Sequence, residues 1–350
     1  MLKREWMILA CLSLVASVAL SCTTERVDSL MKKRIRSMLE DRAQAMDMLE
    51  APDMHVILVG SGGPLDNEER LSSCTAILAG GEFIVVDLGS GTWRNVNLLN
   101  LPAGGLSAVF LTHFHSDHIA DLGEADFGSW TQARKTNLDV YGPEGVDRVV
   151  RGFSTAYALD KKYRIAHHGE DIVPPGTSAM VSHTIDVKDP DEAVLFFDRN
   201  GLKAYAFLVD HFPVVPAVGY RFEYKGNVVV ITGDTKKIPT LAKHAKDADI
   251  LISEGLSMRS VNLLSETLAE ANQPRLSKIM KDVTDYHIDP VQAGEVAQEA
   301  GAKTLVFNHV VPPIINRIVK SIFLSGVKDV FDGEVILGED GMRFTLAPKE

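Results

Sequence analysis

The stretch His113-Phe114-His115-Ser116-Asp117-His118 follows directly on the apolar run Ala108-Val109-Phe110-Leu111-Thr112. Imidazole nitrogen and carboxylate oxygen are ligands that zinc, manganese and iron accept, and four such groups within six residues are unusual for a hydrophobic core. The apolar run predicts a buried strand, so we expect the ligands on a loop at its carboxyl end. There His113 and His115 can face one way while Asp117 and His118 face another. The spacing therefore favours two adjacent metal ions over one, and a polar surface loop is the alternative.

Composition indicates a globular protein that does not bind nucleic acid through general electrostatics. The chain has 350 residues, of which 45% are hydrophobic and 24% charged, and its formal net charge is −11. Affinity for a phosphate backbone comes chiefly from Lys and Arg displacing counterions, so nucleic acid is not an expected partner. A small anionic ester held by metal ions remains compatible with this charge.

The first residues have the features of an export signal. Lys3 and Arg4 precede an apolar run over residues 6–20, and small residues stand at its end, at Ala19 and Ser21. This pattern predicts a signal peptide over residues 1–21, and the run is too short to span a bilayer comfortably. A buried first helix is the alternative. Cys22 resembles the lipid-accepting cysteine of bacterial lipoproteins, although Ala19 stands where Leu is usual. We therefore expect an exported bacterial protein, either free in the periplasm or anchored through Cys22.

The cysteines do not predict a disulfide framework. Cys11 would leave with the signal peptide and Cys22 would be acylated, which leaves Cys74 alone. Disulfide-stabilised domains use several paired cysteines, so we expect none here despite the oxidising compartment. A bridge between Cys22 and Cys74 is the alternative if Cys22 is not lipidated.

The rest of the chain predicts a tether with a helix, followed by one domain. Residues 22–53 are charged and helix-prone, and we expect an amphipathic helix that packs on the domain through Leu30, Ile35, Met38, Leu39, Ala45 and Met48. Residues 54–350 alternate apolar runs and helical segments without a linker or repeat, which indicates a single layered α/β domain. The predicted helices span residues 146–158, 238–247, 262–282 with a break at Pro274, and 290–301.

Ligand-type side chains recur at the ends of the predicted strands. The runs 204–209, 228–232, 250–252 and 304–307 end in Asp210-His211, Gly233-Asp234, Ser253-Glu254 and Asn308-His309. With the run before His113, five strands deliver such groups, and we expect them to converge on one rim of a sheet. Asp87 also ends a strand, where a buried carboxylate must be paired. We expect it to contact a metal ligand, and a loop cap is the alternative.

The remaining polar stretches are not expected to supply metal ligands. The loop Gly60-Ser61-Gly62-Gly63 lacks a following Gly-Lys-Ser/Thr, so we expect a turn near the site rim rather than a phosphate-binding loop. His167 and His168 are expected in a substrate pocket or at the surface. His55, His183 and His244 are expected outside the site. Residues 257–284 are either a substrate lid or a packed pair of surface helices.

The ordered set His-x-His-x-Asp-His, His211, Gly233-Asp234 and His309 resembles the metallo-β-lactamase superfamily, over residues 54 to about 346. The finer resemblance is to its ribonuclease Z-like and arylsulfatase-like branch. It rests on Asp210-His211 leading to Val218-Gly219-Tyr220-Arg221, on Ser253-Glu254-Gly255, and on Tyr286-His287. The resemblance implies a four-layer αββα sandwich in a single domain.

The resemblance also implies a site with two Zn²⁺ ions, with Mn²⁺ or Fe²⁺ as alternatives. Its implied ligands are His113, His115 and His211 for one ion, Asp117, His118 and His309 for the other, and Asp234 between them. Two such ions lower the pKa of a shared water and polarise the group under attack. Asp117 would also orient the nucleophile. Glu254 and His287 resemble the branch's proton-donating pair, and a structural role for both is the alternative.

Three departures from the family pattern bear on function. Bacterial ribonuclease Z proteins carry a long tRNA-gripping arm between the Gly-Tyr segment and the Gly-Asp strand, whereas only residues 221–232 join them here. Ser253 replaces the branch's histidine beside the glutamate, which bears on how the leaving group is handled. The chain has no cysteine after Cys74, so the thiolate ligand of some lactamases is absent.

Together these features predict a dinuclear zinc hydrolase that uses a metal-bridging hydroxide on a small phosphodiester or sulfate ester. The alternatives are an acyl hydrolase of β-lactamase or lactonase type, a tRNA 3′-processing endoribonuclease, which the missing arm disfavours, and a non-catalytic envelope binding protein. A homodimer is left open.

Overall fold

A computed structural model describes residues 24, 26–40, 43 and 45–349. The chain divides into two compact units, Met1–Asp47 and Met48–Glu350. The predicted signal peptide and Cys22 lie outside the described residues, so export and lipidation stay predictions. Cys74 is buried and unpaired.

The described residues of the first unit form a helix, α1, between residues 24 and 47, as the sequence predicts. Four side chains of its apolar stripe are exposed, and the expected packing of this helix on the domain stays a prediction. Leu30, Ile35, Met38 and Leu39 are between 48% and 68% exposed. Helical spacing places apolar residues on one face, but it does not specify what covers that face.

The second unit contains fourteen strands among its described residues. They are β1 (Met54–Gly60), β2 (Cys74–Ala79), β3 (Glu82–Val86), β4 (Leu106–Phe110), β5 (Leu138–Gly142), β6 (Met180–Thr184), β7 (Val194–Arg199), β8 (Leu202–His211), β9 (Val214–Tyr224), β10 (Asn227–Ile231), β11 (Ile250–Leu256), β12 (Thr304–Val311), β13 (Glu334–Leu337) and β14 (Arg343–Leu346). One sheet has the order β14-β1-β2-β3-β4-β5-β6 and the other β13-β12-β11-β10-β9-β8-β7.

Helices lie between the strands. They are α2 (Thr92–Leu98), α3 (Ser116–Ile119), α4 (Leu122–Thr131), α5 (Val146–His168), α6 (Pro239–His244), α7 (Met258–Glu270), α8 (Pro274–Asp282), α9 (Pro290–Ala300), α10 (Arg317–Phe323) and α11 (Val327–Val330). Of the helices in the described part of the chain, none combines the length and apolarity needed to cross a bilayer.

Three buried clusters show the layering. Apolar residues of both sheets meet in a central core around Phe110, Tyr220 and Phe222. The outer face of the first sheet packs against α2, α4 and α5, and the outer face of the second packs against α6 and α9. The predicted four-layer αββα sandwich is therefore confirmed.

Strand directions bring the predicted ligand positions to one edge of the sandwich. Strand β9 is antiparallel to both β8 and β10, and β10, β11 and β12 are mutually parallel. Thus β8, β10, β11 and β12 all end on the same side. The expectation that all five strands belong to one sheet is wrong, since β4 lies in the other sheet. The apolar runs predict strands, but they do not specify which strands pair.

The connection between β9 and β10 is a tight hairpin turn. Lys225 and Gly226 separate the two strands and have φ angles of 45° and 78°. Positive φ at both central residues matches the twist of a two-residue hairpin. This confirms that no long arm is inserted at this position.

Two helical regions refine the sequence prediction. Helix α5 continues to His168, ten residues beyond the predicted end, and places His167 and His168 at an exposed helix terminus. Between residues 158 and 168 the sequence has no Gly or Pro that would stop a helix. Helices α7 and α8 pack against each other around Val261 and Met280, which favours the packed helix pair.

The hydroxyl of Tyr220 joins the two sheets just before the histidine loop. It donates to the Leu111 carbonyl at 2.6 Å, and burial raises the pKa of Tyr220 well above its usual value, which keeps it a donor. We predict that Tyr220→Phe lowers the free energy of unfolding by about 1–3 kcal/mol, because a buried carbonyl loses its partner. Denaturant unfolding measures this, with Tyr205→Phe on β8 as the control. An unchanged stability would contradict the prediction.

Candidate metal centre

The structure brings the seven predicted metal ligands together at the edge where the strands end. His113, His115, His211 and Asp234 form one group, and Asp117, His118 and His309 form a second, with ligand atoms within 4.8 Å of one another in each group. His113 and His115 lie on the loop after β4, and Asp117 and His118 on the short helix α3. These two groups match the two sets of ligands that the family resemblance implies.

The Asp234 carboxylate lies at the centre of the site. Its Oδ2 atom is 3.8 Å from His113 Nε2, 3.5 Å from His118 Nε2 and 3.9 Å from His211 Nε2. It is also 3.4 Å from His309 Nε2. Asp234 is 2% exposed. A buried carboxylate facing imidazoles of both groups has the position that a ligand shared between two ions requires.

The spacing of these atoms fits metal ions better than hydrogen bonds. Two ligands about 2.1 Å from one tetrahedral ion lie about 3.4 Å apart, close to the distances around Asp234. His113 Nε2, His118 Nε2 and Asp234 Oδ1 are buried and have no hydrogen-bond partner within the described residues. Such groups are costly to bury unpaired. The donor set is therefore the one that two divalent ions would satisfy.

Hydrogen bonds on the far side of three imidazoles fix the tautomer that a metal ligand needs. His118 Nδ1 donates to Asp87 Oδ2 at 2.8 Å, and His211 Nδ1 donates to the Tyr286 carbonyl at 3.0 Å. His113 Nδ1 lies 3.0 Å from the hydroxyl of Thr112. A proton held on Nδ1 leaves the lone pair on Nε2, which faces Asp234 in each case.

The pKa shifts of the histidines differ between the two groups, being downward for His113 and His211 in the first and upward for His309 in the second. Burial lowers the pKa of His113 well below its usual value and that of His211 to about 4, so both are neutral, the form that binds metal. Burial also lowers the pKa of His309, but the carboxylates of Asp234 and Asp117 outweigh it and raise the value to about 9. In the second group, protons and a metal ion would therefore compete for the imidazole nitrogens.

Asp87 holds His118 in place, as expected from its position at the end of β3. Its Oδ1 accepts from the Thr112 backbone N–H and its Oδ2 from the Thr112 hydroxyl, each at 2.8 Å. Asp87 has a φ of 59° and His309 a φ of 45°. A non-glycine residue in this left-handed region is strained and persists only where its surroundings fix it, as happens at functional sites.

We predict that Asp87→Asn lowers the affinity of the His118 group for its metal by about 10–100-fold. The amide nitrogen would donate to His118 Nδ1 and move the imidazole proton to Nε2, the atom that faces Asp234. Metal content after dialysis against a graded chelator series measures this. Asp139→Asn is the matched control, because Asp139 accepts from His183 Nε2 at 2.8 Å away from the site. Equal metal retention in both variants would contradict the prediction.

Glu254 and His287 form a hydrogen-bonded pair beside Asp234. Glu254 Oε2 accepts from His287 Nδ1 at 2.7 Å, and Glu254 Oε1 accepts from the Thr235 backbone N–H at 2.6 Å. Burial raises the pKa of Glu254, with Asp234 adding to it against the opposing effect of His287. With Asp234 and His309 the pair also makes a third group of metal-ligand type. His287 Nδ1 and Glu254 Oε2 are already hydrogen-bonded to each other, which favours proton transfer over metal binding as the role of this pair.

The remaining histidines lie outside the centre, as the sequence predicts. His55 contacts Thr345, His183 contacts Asp139, and His244 donates to the Pro190 carbonyl at 2.8 Å. Ser253, which replaces the branch's histidine, is buried and donates its hydroxyl to the Glu254 carbonyl.

Three supporting residues were missed from the sequence, namely Thr112, Thr235 and Tyr286, whereas the Gly60–Gly63 loop lies near the site as predicted. A Cβ on Gly63 would lie 2.6 Å from Val311 Cγ2 and 3.1 Å from His309 Cε1, so only glycine allows the Gly60–Gly63 loop to approach the last histidine. Thr112 and Thr235 are adjacent to predicted ligands, and that adjacency is a signal that could have identified them. The Tyr286 carbonyl gives no signal in the sequence.

Comparison with known proteins agrees with this geometry. Residues 84–310 match the family described as Beta-lactamase superfamily domain. The chain belongs to the metallo-β-lactamase superfamily. Its members typically bind two divalent ions, and this chain has two groups of candidate ligands for them.

The relatives place the chain in the ribonuclease Z-like branch of the superfamily. It is 34% identical over 299 residues to a protein named ribonuclease Z from Mycobacterium bovis, an alignment that covers 85% of this chain and 99% of the relative. Two solved structures are similar in fold, each at 22% identity and a TM-score of 0.59. They are the metallo-β-lactamase fold protein YhfI from Bacillus subtilis, covering 84% of this chain and 99% of that one, and human tRNase Z, short form, covering 83% and 99%. The superfamily hydrolase predicted from the sequence is confirmed at this level.

Proposed function

We propose that this protein is a two-metal hydrolase of phosphodiester bonds. The observation that carries the proposal is the Glu254–His287 pair next to Asp234, within the same constellation as both candidate metal groups. A site that only binds a ligand has no use for a proton donor beside two metal positions. The relatives named ribonuclease Z support a phosphodiester as the bond, in preference to a sulfate ester.

The metal positions follow from the two groups of ligands. His113, His115 and His211 would hold one ion, Asp117, His118 and His309 the other, and Asp234 would be shared. Zinc suits imidazole and carboxylate ligands in this number, and manganese and iron accept the same donors. Two bound divalent ions would supply an activated water and neutralise charge on the ester.

The chain's own residues supply orientation and a proton. The Asp117 carboxylate would accept a hydrogen bond from the attacking water. Its Oδ2 atom lies 3.1 Å from His309 Nε2, within the second ligand group. His287 is fixed by Glu254, which holds its Nδ1 proton and leaves Nε2 to carry the second proton to the departing oxygen. Glu254 is itself positioned by the Thr235 N–H, so the donor does not depend on a mobile side chain.

The substrate is best described as a small phosphodiester. The turn of two residues between β9 and β10 offers no arm to grip a folded RNA, and the net charge of −11 disfavours a polyanion. Processing of RNA 3′ ends is the second candidate, favoured by the 34% identity to a protein named ribonuclease Z.

The test is hydrolysis of bis(4-nitrophenyl) phosphate by metal-loaded protein, with 4-nitrophenyl sulfate, nitrocefin and a tRNA precursor assayed in parallel. We expect turnover of the phosphodiester that is lost on chelation and restored by Zn²⁺ or Mn²⁺. Cleavage of the precursor alone would favour the RNA-processing candidate. No chelator-sensitive turnover of any phosphodiester would refute the proposal.

A further inference from the structure

A cavity of about 900 Å³ opens beside the candidate metal centre. Its walls are residues 208–212 and 214–218 of the β8–β9 hairpin, residues 184–187 at the end of β6, residues 238–240 before and within α6, and Pro143, Glu144 and Pro190. His211 belongs both to this wall and to the group of His113, His115 and Asp234. The cavity is therefore continuous with the site, and its volume is in the range that binds small organic molecules.

The lining of the cavity is mainly apolar. Ile185 and Val218 are buried in the wall, while Phe212 and Val215 are 68% and 72% exposed. Large apolar side chains left exposed beside a site are unfavourable in water and are favoured where a ligand covers them.

The charged groups in the wall are all acidic. They are Glu144, Asp186 and Asp210, and among the described residues no Lys or Arg lines the cavity. Asp210 is paired with Lys236 at 2.9 Å and Asp186 with Lys188 at 3.1 Å, and Glu144 is exposed. The lining itself would therefore offer the neighbouring phosphates of a nucleotide chain three carboxylates and no lysine or arginine side chain. An uncharged substituent meets no such repulsion.

We propose that this cavity binds an apolar alkyl or aryl group of the substrate, so that the preferred substrate is a phosphodiester with one apolar ester group. This inference rests on the proposed function for the identity of the bond, and on the cavity alone for the identity of the substituent. The single negative charge of the diester would lie at the metal positions, and its apolar group would extend along the β8–β9 hairpin past His211.

The test is calorimetric binding of dimethyl, butyl methyl and octyl methyl phosphate to zinc-loaded protein. Each buried methylene tightens binding by about fourfold, so we expect the octyl diester to bind about 100-fold more tightly than the dimethyl one as three or four methylenes become buried. Phe212→Ser combined with Val215→Ser should reduce that ratio to about tenfold or less. Because both positions are exposed, the double variant is expected to fold. Leu159→Ser combined with Ile172→Ser, at positions 62% and 71% exposed outside the cavity, is the matched control and should leave the ratio unchanged.

The outcomes separate this inference from the proposed function. Equal affinities for the three diesters, or tighter binding of a tetrauridylate than of octyl methyl phosphate, would overturn the inference. Turnover of bis(4-nitrophenyl) phosphate by the same preparation would still support phosphodiester hydrolysis. Conversely, binding that depends on chain length without turnover of any diester would support the cavity's role and overturn the proposed function.

Discussion

Replacing Asp234 by asparagine is expected to reduce kcat/KM for a phosphodiester by roughly 10³-fold or more, corresponding to the loss of several kcal/mol of stabilisation. Asn keeps the size of the side chain and removes the charge. The Oδ2 atom lies 3.4–3.9 Å from imidazole nitrogens of both ligand groups, so the loss affects both metal positions at once. Without that charge, two divalent ions would repel each other across the site with less compensation. We expect metal content to fall from two ions per chain to one or fewer.

The same variant should lose the stabilisation that metal provides. A ligand at about 1,000 times its Kd contributes about 4 kcal/mol, which corresponds to roughly 6–8 °C in Tm for a domain of this size. Chelation should lower the Tm of the wild-type protein by that amount and lower the Tm of Asp234→Asn by a smaller amount, in proportion to the metal that the variant retains.

Asp249→Asn is the control for this experiment. Asp249 is also a buried carboxylate, but it pairs with Lys303 and Lys349 at the opposite end of β11. This variant should lose stability while keeping its metal and its response to chelator. Two ions per chain in Asp234→Asn with normal turnover would refute a shared carboxylate.

The sequence was sufficient to predict which ligand-type side chains meet, because the fold places them by a local rule. His113 to His118 are contiguous, and His211, Asp234 and His309 each follow an apolar run that forms a strand. Strands that run in the same direction end at the same edge, so side chains after those runs meet without any knowledge of the pairing. Asp87 could be predicted in the same way, since a carboxylate at the end of a buried strand must find a partner.

The supporting contacts could not be predicted, because they depend on which distant segments meet. The Tyr286 carbonyl holds His211 from 75 residues away, and the hydroxyl of Tyr220 reaches Leu111 across the two sheets. Backbone carbonyls are present at every residue and carry no pattern. The cavity is a further case, since its walls come from segments between residues 143 and 240 and only their assembly shows that the charges are all acidic.

The second large effect is expected at His287 and depends on the leaving group. For a diester that releases an alkoxide, His287→Ala should lower kcat by about 10²–10³-fold, the usual contribution of a positioned general acid. For a diester that releases 4-nitrophenolate, which departs without protonation, the loss should be about fivefold or less. The plot of log kcat against leaving-group pKa should therefore become steeper in the variant. Turnover of methyl, phenyl and 4-nitrophenyl diesters measures the slope.

Glu254→Gln should produce a smaller change of the same kind. Glutamine keeps the size of the side chain but removes the negative charge that stabilises the doubly protonated imidazole of His287. Thr267→Ala, on the exposed face of α7, is the control for both variants. Metal content separates proton transfer from ligation, because Glu254 and His287 also belong to a group of metal-ligand type. If either variant loses an ion, or if kcat falls equally for all leaving groups, the pair acts on the metal or on the fold. A steeper slope with two ions retained is the result that only a proton donor produces.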